Sequence, residues 1–170
     1  PQMLRLQQGE TLILTRELEP GRPARQADDG RLLTPAQIGV TLPEFFDSVR
    51  AGEPVWFDDG KIGGVVEEAQ PDRAVVRIVQ ARAGGEKLGE EKGINAPDTD
   101  LRTPALVDED LKALEFIAAN ADIVGFSFVR SAADVRELRA RLSELGRPEM
   151  AIMLKIETRR GFDNLPLILV

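Results

Sequence analysis

A lysine and a glutamate, one residue apart, follow an apolar run near the end of the chain. The run Ile152-Met153-Leu154 is typical of a buried strand, and it leads into Lys155 and Glu157. Side chains at positions i and i+2 of a strand share a face, so this ammonium and carboxylate should project together, with Ile156 opposite. Because α/β barrels and open parallel sheets build active sites at the carboxyl ends of their strands, this position is suited to chemistry.

Two interpretations of this pair stay open from the residues alone. In the first, the Glu157 carboxylate holds a hard cation and the Lys155 ammonium stabilises developing negative charge. In the second, the two side chains form a solvated ion pair with no role in chemistry. Burial of either charge is costly unless it is paired or binds a ligand, and both interpretations satisfy that condition.

A second predicted strand also ends in polar residues. The segment 125–135, GFSFVRSAADV, places Ser127 and Arg130 near the carboxyl end of an apolar strand. Ser131 is better explained as the N-cap of the helix that follows. A lone Ser127 is typical of a hydroxyl satisfied in a core, but its placement parallel to Lys155 favours a role beside that lysine.

The composition excludes several classes of mechanism. The 170 residues hold 29 acidic and 22 basic side chains, and the net charge of −7 disfavours non-specific binding to nucleic acid or to an anionic membrane. Cysteine and histidine are absent, which excludes disulfides, thiolate or imidazole metal sites and Ser-His or Cys-His catalysis. The lack of cysteine fits a cytoplasmic protein. Without a starting Met or a signal-peptide core, the sequence is expected to come from the middle of a longer protein.

The first part of the chain is predicted to be rich in strands and turns. Two apolar runs flank Asp59-Gly60, a pair that favours the left-handed angles of a tight hairpin turn. The segment 41–52 predicts one short helix with Thr41 as its cap and Gly52 closing it, and the polar segment 19–35 predicts a loop. The predicted strands cover 11–16, the two arms of the hairpin within 55–69, and 73–83.

From about residue 105 the pattern changes to helices that alternate with strands. Asp108 and Ser131 are predicted N-caps, and Gly146 is a predicted helix stop. The alternation implies βα units with buried parallel strands, and the boundary between the two parts is predicted within Pro97–Pro104. The predicted helices cover 108–121 and 131–146, and the predicted strands cover 122–129 and 149–157.

Four blocks of this sequence resemble pyruvate kinases, in the order and at the approximate spacing of that family. Together the resemblance covers most of the chain from about Val40 onward, and the combination is more specific than any single block. The blocks are VWFDDGKIGGVV (55–66), GEKLGEEKGINAPDTDL (85–101), ADIVGFSFVRSAADVRELRARL (121–142) and IMLKIETRRGFDNLPLIL (152–169).

The resemblance implies a mixed α/β fold class, with a small β-barrel lid domain followed by a partial (β/α)8 TIM-barrel segment. In this family the barrel is interrupted after its third strand by the lid. Residues 1–100 resemble the lid, called the B domain, and residues 101–170 resemble the fourth and fifth strands of the barrel with their helices.

The resemblance also implies a reaction and its residues. Pyruvate kinases transfer a phosphoryl group from phosphoenolpyruvate to ADP in glycolysis, giving pyruvate and ATP. Lys155 matches the active-site lysine, Glu157 a ligand of the divalent metal (Mg²⁺ or Mn²⁺), and Lys92 a lid lysine near the nucleotide phosphates. Ser127 and Phe128 match the lining of the substrate pocket. The family further implies K⁺ in the full-length parent, a tetramer, and no nucleic-acid or membrane partner.

Without the family, some of these residues have simpler interpretations. Lys92 is a solvated loop lysine, and Asp58-Asp59-Gly60 is turn chemistry. The sequence also departs from the family pattern, with Ala96 and Thr103 where leucine is usual, which indicates a divergent member. The first three and last three barrel strands are not in the sequence, so we expect a piece that is inactive alone.

Two other functions remain as alternatives. Metal-dependent aldolases and citrate lyase-type lyases of the phosphoenolpyruvate/pyruvate barrel group also place a metal-binding Glu in an IET…G strand end. They lack the lid, so the β-rich first 100 residues speak against them. The second alternative is a non-catalytic homologue that serves as a binding or regulatory module.

Overall fold

The computed structural model describes residues 3–101 and 103–169 of the chain. The protein divides into two compact units, Pro1–Arg102 and Thr103–Val170, and each has its own hydrophobic core. The fold class is mixed α/β. Within the described ranges, no helix is long and apolar enough to cross a bilayer.

The first unit is built almost entirely of strands. The elements are β1 (Leu4–Leu6), β2 (Thr11–Thr15), β3 (Arg25–Gln26), β4 (Leu32–Thr34), β5 (Ala36–Gly39), α1 (Glu44–Ser48), β6 (Pro54–Phe57), β7 (Ile62–Ala69), β8 (Arg73–Gln80), β9 (Glu86–Leu88) and β10 (Ile94–Asn95). A six-stranded sheet has the order β10-β6-β7-β8-β2-β5, and of its strand pairs only β2–β5 is parallel. Two further antiparallel pairs join β1 to β9 and β3 to β4.

The core of this unit follows from alternation along its strands. Leu12 and Leu14 of β2 are fully buried, and so is Val76 of β8, which pairs with Leu12. On β7, a Cβ at Gly64 would lie 2.3 Å from Cγ1 of Val76, so only glycine allows the strands to pack this closely. Apolar residues at alternate positions of these strands therefore lie on one side of the sheet, where they form a single core.

The predicted hairpin at Asp59-Gly60 is confirmed. Phe57 at the end of β6 pairs with Ile62 at the start of β7. Between them, Asp58, Asp59 and Gly60 all have left-handed backbone angles, with φ of 49°, 54° and 84°. Aspartate and glycine tolerate these angles better than most residues, which is why Asp58-Asp59-Gly60 forms the turn.

Two predictions for the first unit are wrong in detail. The helix α1 covers five residues rather than 41–52, because Pro43 takes the N-cap position instead of Thr41 and Val49 returns to an extended backbone. Proline has a φ that suits a helix start, whereas Thr41 lies too far upstream to cap it. Within 19–35, which was predicted to be a loop, the short strands β3 and β4 pair with each other.

The second unit alternates helices with two parallel strands, as the sequence predicts. The elements are α2 (Asp108–Asn120), β11 (Ile123–Phe126), α3 (Ala132–Glu144), β12 (Ala151–Leu154), α4 (Arg159–Asp163) and α5 (Leu165–Ile168). Strands β11 and β12 pair in parallel, with Ile123 opposite Ala151 and Phe126 opposite Leu154.

The helix caps of this unit are mostly those predicted. Ser131 caps α3 in a reciprocal capping box with Asp134, and Gly146 follows the helix with a left-handed φ of 75°. Asp108 is not the cap of α2, because it already lies inside the helix and Val107 holds the N-cap position. As an acidic first residue, Asp108 instead complements the helix dipole.

The two strands are shorter than predicted and are not buried on both faces. Val124 and Phe126 of β11 are buried in the core that includes Leu138 of α3. On the opposite face, Ile123 and Met153 are 53% and 60% exposed. Apolar residues of α2 and α3 join the core on one face of this strand pair, whereas the other face stays exposed. The prediction of fully buried strands was therefore wrong.

Candidate active site

The polar residues singled out in the second unit lie just beyond the carboxyl ends of β11 and β12. Backbone pairing continues past the strands, since the Lys155 amide donates to the Phe126 carbonyl over 2.8 Å and the Val129 amide donates to the Lys155 carbonyl over 3.4 Å. The two chain segments therefore stay side by side where their side chains carry the candidate chemistry.

Lys155, Glu157 and Ser127 form one polar cluster at this strand end. The Lys155 Nζ lies 3.2 Å from Oε1 of Glu157 and donates to Oγ of Ser127 over 3.3 Å. Both charged side chains keep access to solvent, at 53% exposed for Lys155 and 29% for Glu157. The sequence-based prediction that the two project together from one strand end matches this geometry.

The second carboxylate oxygen of Glu157 is bound to the neighbouring segment. The backbone N–H of Phe128 donates to Oε2 of Glu157 over 3.2 Å. Phe128 has a φ of 55°, a left-handed conformation that costs a bulky residue about 1–3 kcal/mol and persists only where its surroundings enforce it. The strained backbone thus points an amide at the carboxylate and fixes its orientation.

Helix α4 and the turn after it contact the segment that follows β11. Thr158 caps α4 by accepting a hydrogen bond from the Gly161 amide over 3.0 Å. A Cβ at Gly161 would lie 2.2 Å from the carbonyl oxygen of Val129, so α4 approaches the segment after β11 closely only because this residue is glycine. The side-chain amide of Asn164 donates through Nδ2 to the Arg130 carbonyl over 2.9 Å. Sequence reasoning missed Gly161 and Asn164, although glycine in a first helical turn is a usable signal.

Arg130, which the sequence places near the same strand end, contacts Thr103 and Asp134. Its guanidinium donates to the carbonyl of Thr103 over 2.6 Å and to the Thr103 hydroxyl over 3.3 Å. Its backbone amide donates to Asp134, the partner of Ser131 in the capping box. These contacts tie the start of the second unit to the loop between β11 and α3.

Lys92 lies in the first unit, in the loop between β9 and β10, and contacts Asp58. The Lys92 Nζ is 3.1 Å from Oδ1 of Asp58, and the Lys61 Nζ is 2.8 Å from Oδ2. The hydrogen bond from Lys61, and then that from Lys92, holds the pKa of Asp58 below its ordinary value of 3.8. Turn chemistry alone does not account for Asp58. The i, i+3 spacing could have revealed Lys61, but nothing local reveals Lys92.

The donor chemistry for a divalent cation is present in part. Glu157 supplies a hard carboxylate at the strand end, which is the type of ligand that Mg²⁺ and Mn²⁺ prefer. Across 3–101 and 103–169, no group of three or more acidic, His or Cys side chains could hold a metal ion. Within the described residues, Glu157 thus offers a single carboxylate and does not form a complete cation site.

Comparison with known proteins identifies the family. The family model described as "Pyruvate kinase, barrel domain" matches residues 6–170, which include every site residue named above. The chain belongs to the pyruvate kinase family. The resemblance of the four sequence blocks is thereby confirmed.

Individual pyruvate kinases show the same relationship. The pyruvate kinase of Lactococcus lactis subsp. lactis is 35% identical over 139 residues, which is 78% of this chain and 27% of that protein. The enzyme of Lactobacillus delbrueckii subsp. bulgaricus is 32% identical over 133 residues, covering 78% of this chain and 22% of its own. Pyruvate kinase 1 of Trypanosoma brucei brucei is 33% identical over 137 residues, covering 80% and 27%. This pyruvate kinase family chain thus spans about a quarter of the length of its relatives.

Proposed function

We propose that this chain is part of an enzyme that transfers the phosphoryl group of phosphoenolpyruvate to ADP, giving pyruvate and ATP. The observation that carries the proposal is the convergence of Lys155, Glu157 and Ser127 beyond two parallel strands of a pyruvate kinase family chain. In this proposal the first unit is the lid domain. The second unit supplies the fourth and fifth strands of a (β/α)8 barrel, with β11 and β12 in those places.

Lys155 is the proposed catalytic residue. Phosphoryl transfer depends on positioning and on the stabilisation of charge spread over the phosphoryl oxygens, so a fixed ammonium is the side chain it needs. Glu157 and Ser127 hold the Lys155 Nζ from two directions, while half of the side chain stays exposed to a ligand. The same ammonium stabilises the enolate oxygen that forms as the phosphoryl group leaves phosphoenolpyruvate.

Glu157 is the proposed metal ligand. A bound Mg²⁺ or Mn²⁺ would neutralise charge on the phosphoryl oxygens and orient the substrate. Mg²⁺ sites commonly use one or two carboxylates, with water and substrate oxygens completing the shell, so one carboxylate from this chain is a sensible contribution. The Phe128 amide orients this carboxylate through Oε2.

The remaining assignments complete the proposal. Lys92 contacts the phosphates of the nucleotide, and Ser127 and Phe128 line the pocket for phosphoenolpyruvate. The full-length enzyme uses K⁺ in addition to the divalent metal and assembles as a tetramer. Because the other ligands and the substrate-binding arginine of the family come from the missing barrel strands, the 170-residue chain alone is proposed to be inactive.

The test is a coupled assay of pyruvate formation on the full-length protein that contains this chain, with Mg²⁺ and K⁺. Lys155→Met should lower kcat by about 10²-fold or more, the loss typical of one electrostatic stabiliser. Lys112→Met, which removes an exposed lysine of α2, is the matched control and should leave kcat within twofold. No ADP-dependent pyruvate formation by the full-length protein would overturn the proposal.

The assay also separates the alternatives. Pyruvate released from a hydroxy-oxo acid without ADP would identify the aldolase or lyase function. Binding of phosphoenolpyruvate without turnover, unchanged by Lys155→Met, would identify a non-catalytic homologue.

A further inference from the structure

The first unit contains a carboxylate held between two lysines. Asp58 follows the last residue of β6, and its side chain is only 11% exposed. Each carboxylate oxygen has its own ammonium, with Lys61 on Oδ2 at 2.8 Å and Lys92 on Oδ1 at 3.1 Å. The two lysines come from different segments, so this carboxylate joins the hairpin turn to the loop between β9 and β10.

The backbone makes the same connection. The Asp58 amide donates to the carbonyl of Gly93 over 3.0 Å, and the Asp58 carbonyl accepts from the Lys61 amide over 3.2 Å. Directly beside this contact, Ile94 of β10 pairs with Phe57 of β6. The backbone directly after Lys92 is therefore anchored to the segment that carries Asp58.

The turn itself does not require a carboxylate at this position. Asparagine adopts the left-handed backbone angles of Asp58 as readily as aspartate does. The Asp58 carboxylate instead holds the Lys92 ammonium in one place. Without it, the flexible Lys92 side chain would sample many rotamers. Asp59, the next residue, has a similar φ of 54° but its side chain is exposed. Comparing substitutions at Asp58 and Asp59 therefore distinguishes an effect on the turn from an effect on the carboxylate contacts.

Lys92 remains accessible while it is held. Its side chain is 39% exposed, and it lines a cavity of about 490 Å³ that also includes Phe57 and Ile94 in its wall. An ammonium fixed by one carboxylate oxygen and open to a cavity has donors left for a phosphate. The second lysine, Lys61, balances the charge of Asp58, so the carboxylate does not cancel the charge that Lys92 presents.

We propose that Asp58 is a positioning residue that fixes the Lys92 ammonium for contact with the phosphates of a nucleoside diphosphate. This inference rests on the proposed function, in which Lys92 is the nucleotide contact of the lid. Asp58 acts through Lys92 and does not itself touch the substrate.

The experiment measures KM for ADP and for phosphoenolpyruvate separately in the full-length protein. Asp58→Asn should raise KM for ADP about tenfold, within the range of couplings between residues in contact, and leave KM for phosphoenolpyruvate within twofold. Asp58→Asn combined with Lys92→Met should be no worse than Lys92→Met alone. Asp59→Asn, which makes the same change of charge in the same turn, is the control and should leave both constants within twofold.

Several results would overturn the inference while leaving the proposed function intact. One is an active enzyme in which Lys92→Met raises KM for ADP and Asp58→Asn does not. Another is an equal rise in both constants, together with a lower melting temperature, which would show a structural role only. If Asp58→Asn does not fold, Asp58→Glu keeps the charge but displaces it, and it should raise KM for ADP without adding to Lys92→Met. A wild-type protein that forms no pyruvate would instead overturn the proposed function.

Discussion

At the scale of single residues, the site depends on contacts that fix the direction of a charge. The Glu157 carboxylate is held by an ammonium on one oxygen and by the Phe128 amide on the other. The Phe128 backbone is in a conformation that this residue type rarely adopts. A strained residue that orients a carboxylate is expected at a functional site, because unfavourable backbone angles persist only where the surrounding structure enforces them.

Asp58 gives a prediction about acid stability. Hydrogen bonds from Lys61 and then Lys92 lower the pKa of Asp58 in the folded state below its ordinary 3.8. A lowered folded-state pKa contributes stability that is present above the unfolded-state pKa and is lost as the pH falls through the folded-state value. The free energy of unfolding of the wild type, measured with urea, should therefore fall more steeply than that of Asp58→Asn as the pH is lowered below about 4.

The comparison needs a control for the many other carboxylates. Asp59→Asn should follow the wild type, since the Asp59 side chain is exposed in the same turn. If Asp58→Asn and the wild type lost free energy in parallel over this pH range, the ion pairs of Asp58 would not contribute to stability.

At the scale of secondary-structure elements, a glycine decides how close α4 comes to the segment that follows β11. The Cβ of an alanine at position 161 would lie 2.2 Å from the Val129 carbonyl oxygen, and a backbone atom cannot move aside as a side chain can. Gly161→Ala should therefore destabilise the second unit by about 1–3 kcal/mol, the usual cost of overpacking. Chemical denaturation of the two proteins measures the difference.

Gly125→Ala is the matched control for this prediction. Gly125 lies in β11, and a Cβ there would meet nothing within 4 Å. That variant should be neutral or slightly more stable, since alanine reduces the freedom of the unfolded chain. Equal stabilities for Gly161→Ala and the wild type would show that the contact between α4 and Val129 adapts at no cost.

At the scale of the whole molecule, apolar side chains remain exposed on the second unit. Ile123 and Met153 share the uncovered face of β11 and β12, and Phe162 is 66% exposed on α4. Large exposed apolar surfaces favour association with other surfaces. We expect the isolated 170-residue chain to self-associate as its concentration rises, as measured by light scattering.

Ile123→Thr combined with Met153→Thr should reduce this association. The two changes remove apolar surface from an exposed face, so the melting temperature should stay close to that of the wild type. Val124→Thr, on the buried face of β11, is the contrasting variant and should lower the melting temperature. Association that was unchanged by the first pair of substitutions would exclude this face as its cause.

Local patterns in the sequence were enough for much of the architecture. The alternation of helices with apolar runs predicted two parallel strands. Ser131 and Gly146 marked the ends of α3, and Asp59-Gly60 marked the hairpin turn. These features depend on residues within a few positions of one another, so their chemistry is visible in the sequence. The i, i+2 spacing likewise placed the Lys155 and Glu157 side chains together.

Other features depend on contacts between distant segments, which only the tertiary structure decides. The ion pair of Asp58 with Lys92 spans a separation that no local rule covers, and the same holds for the Phe128 amide on Glu157. The burial of β11 and β12 on a single face also depends on which helices pack against them, and an apolar run cannot specify that. Periodicity and capping act within one element, whereas the partner of a charge and the covering of a sheet depend on how elements meet in space.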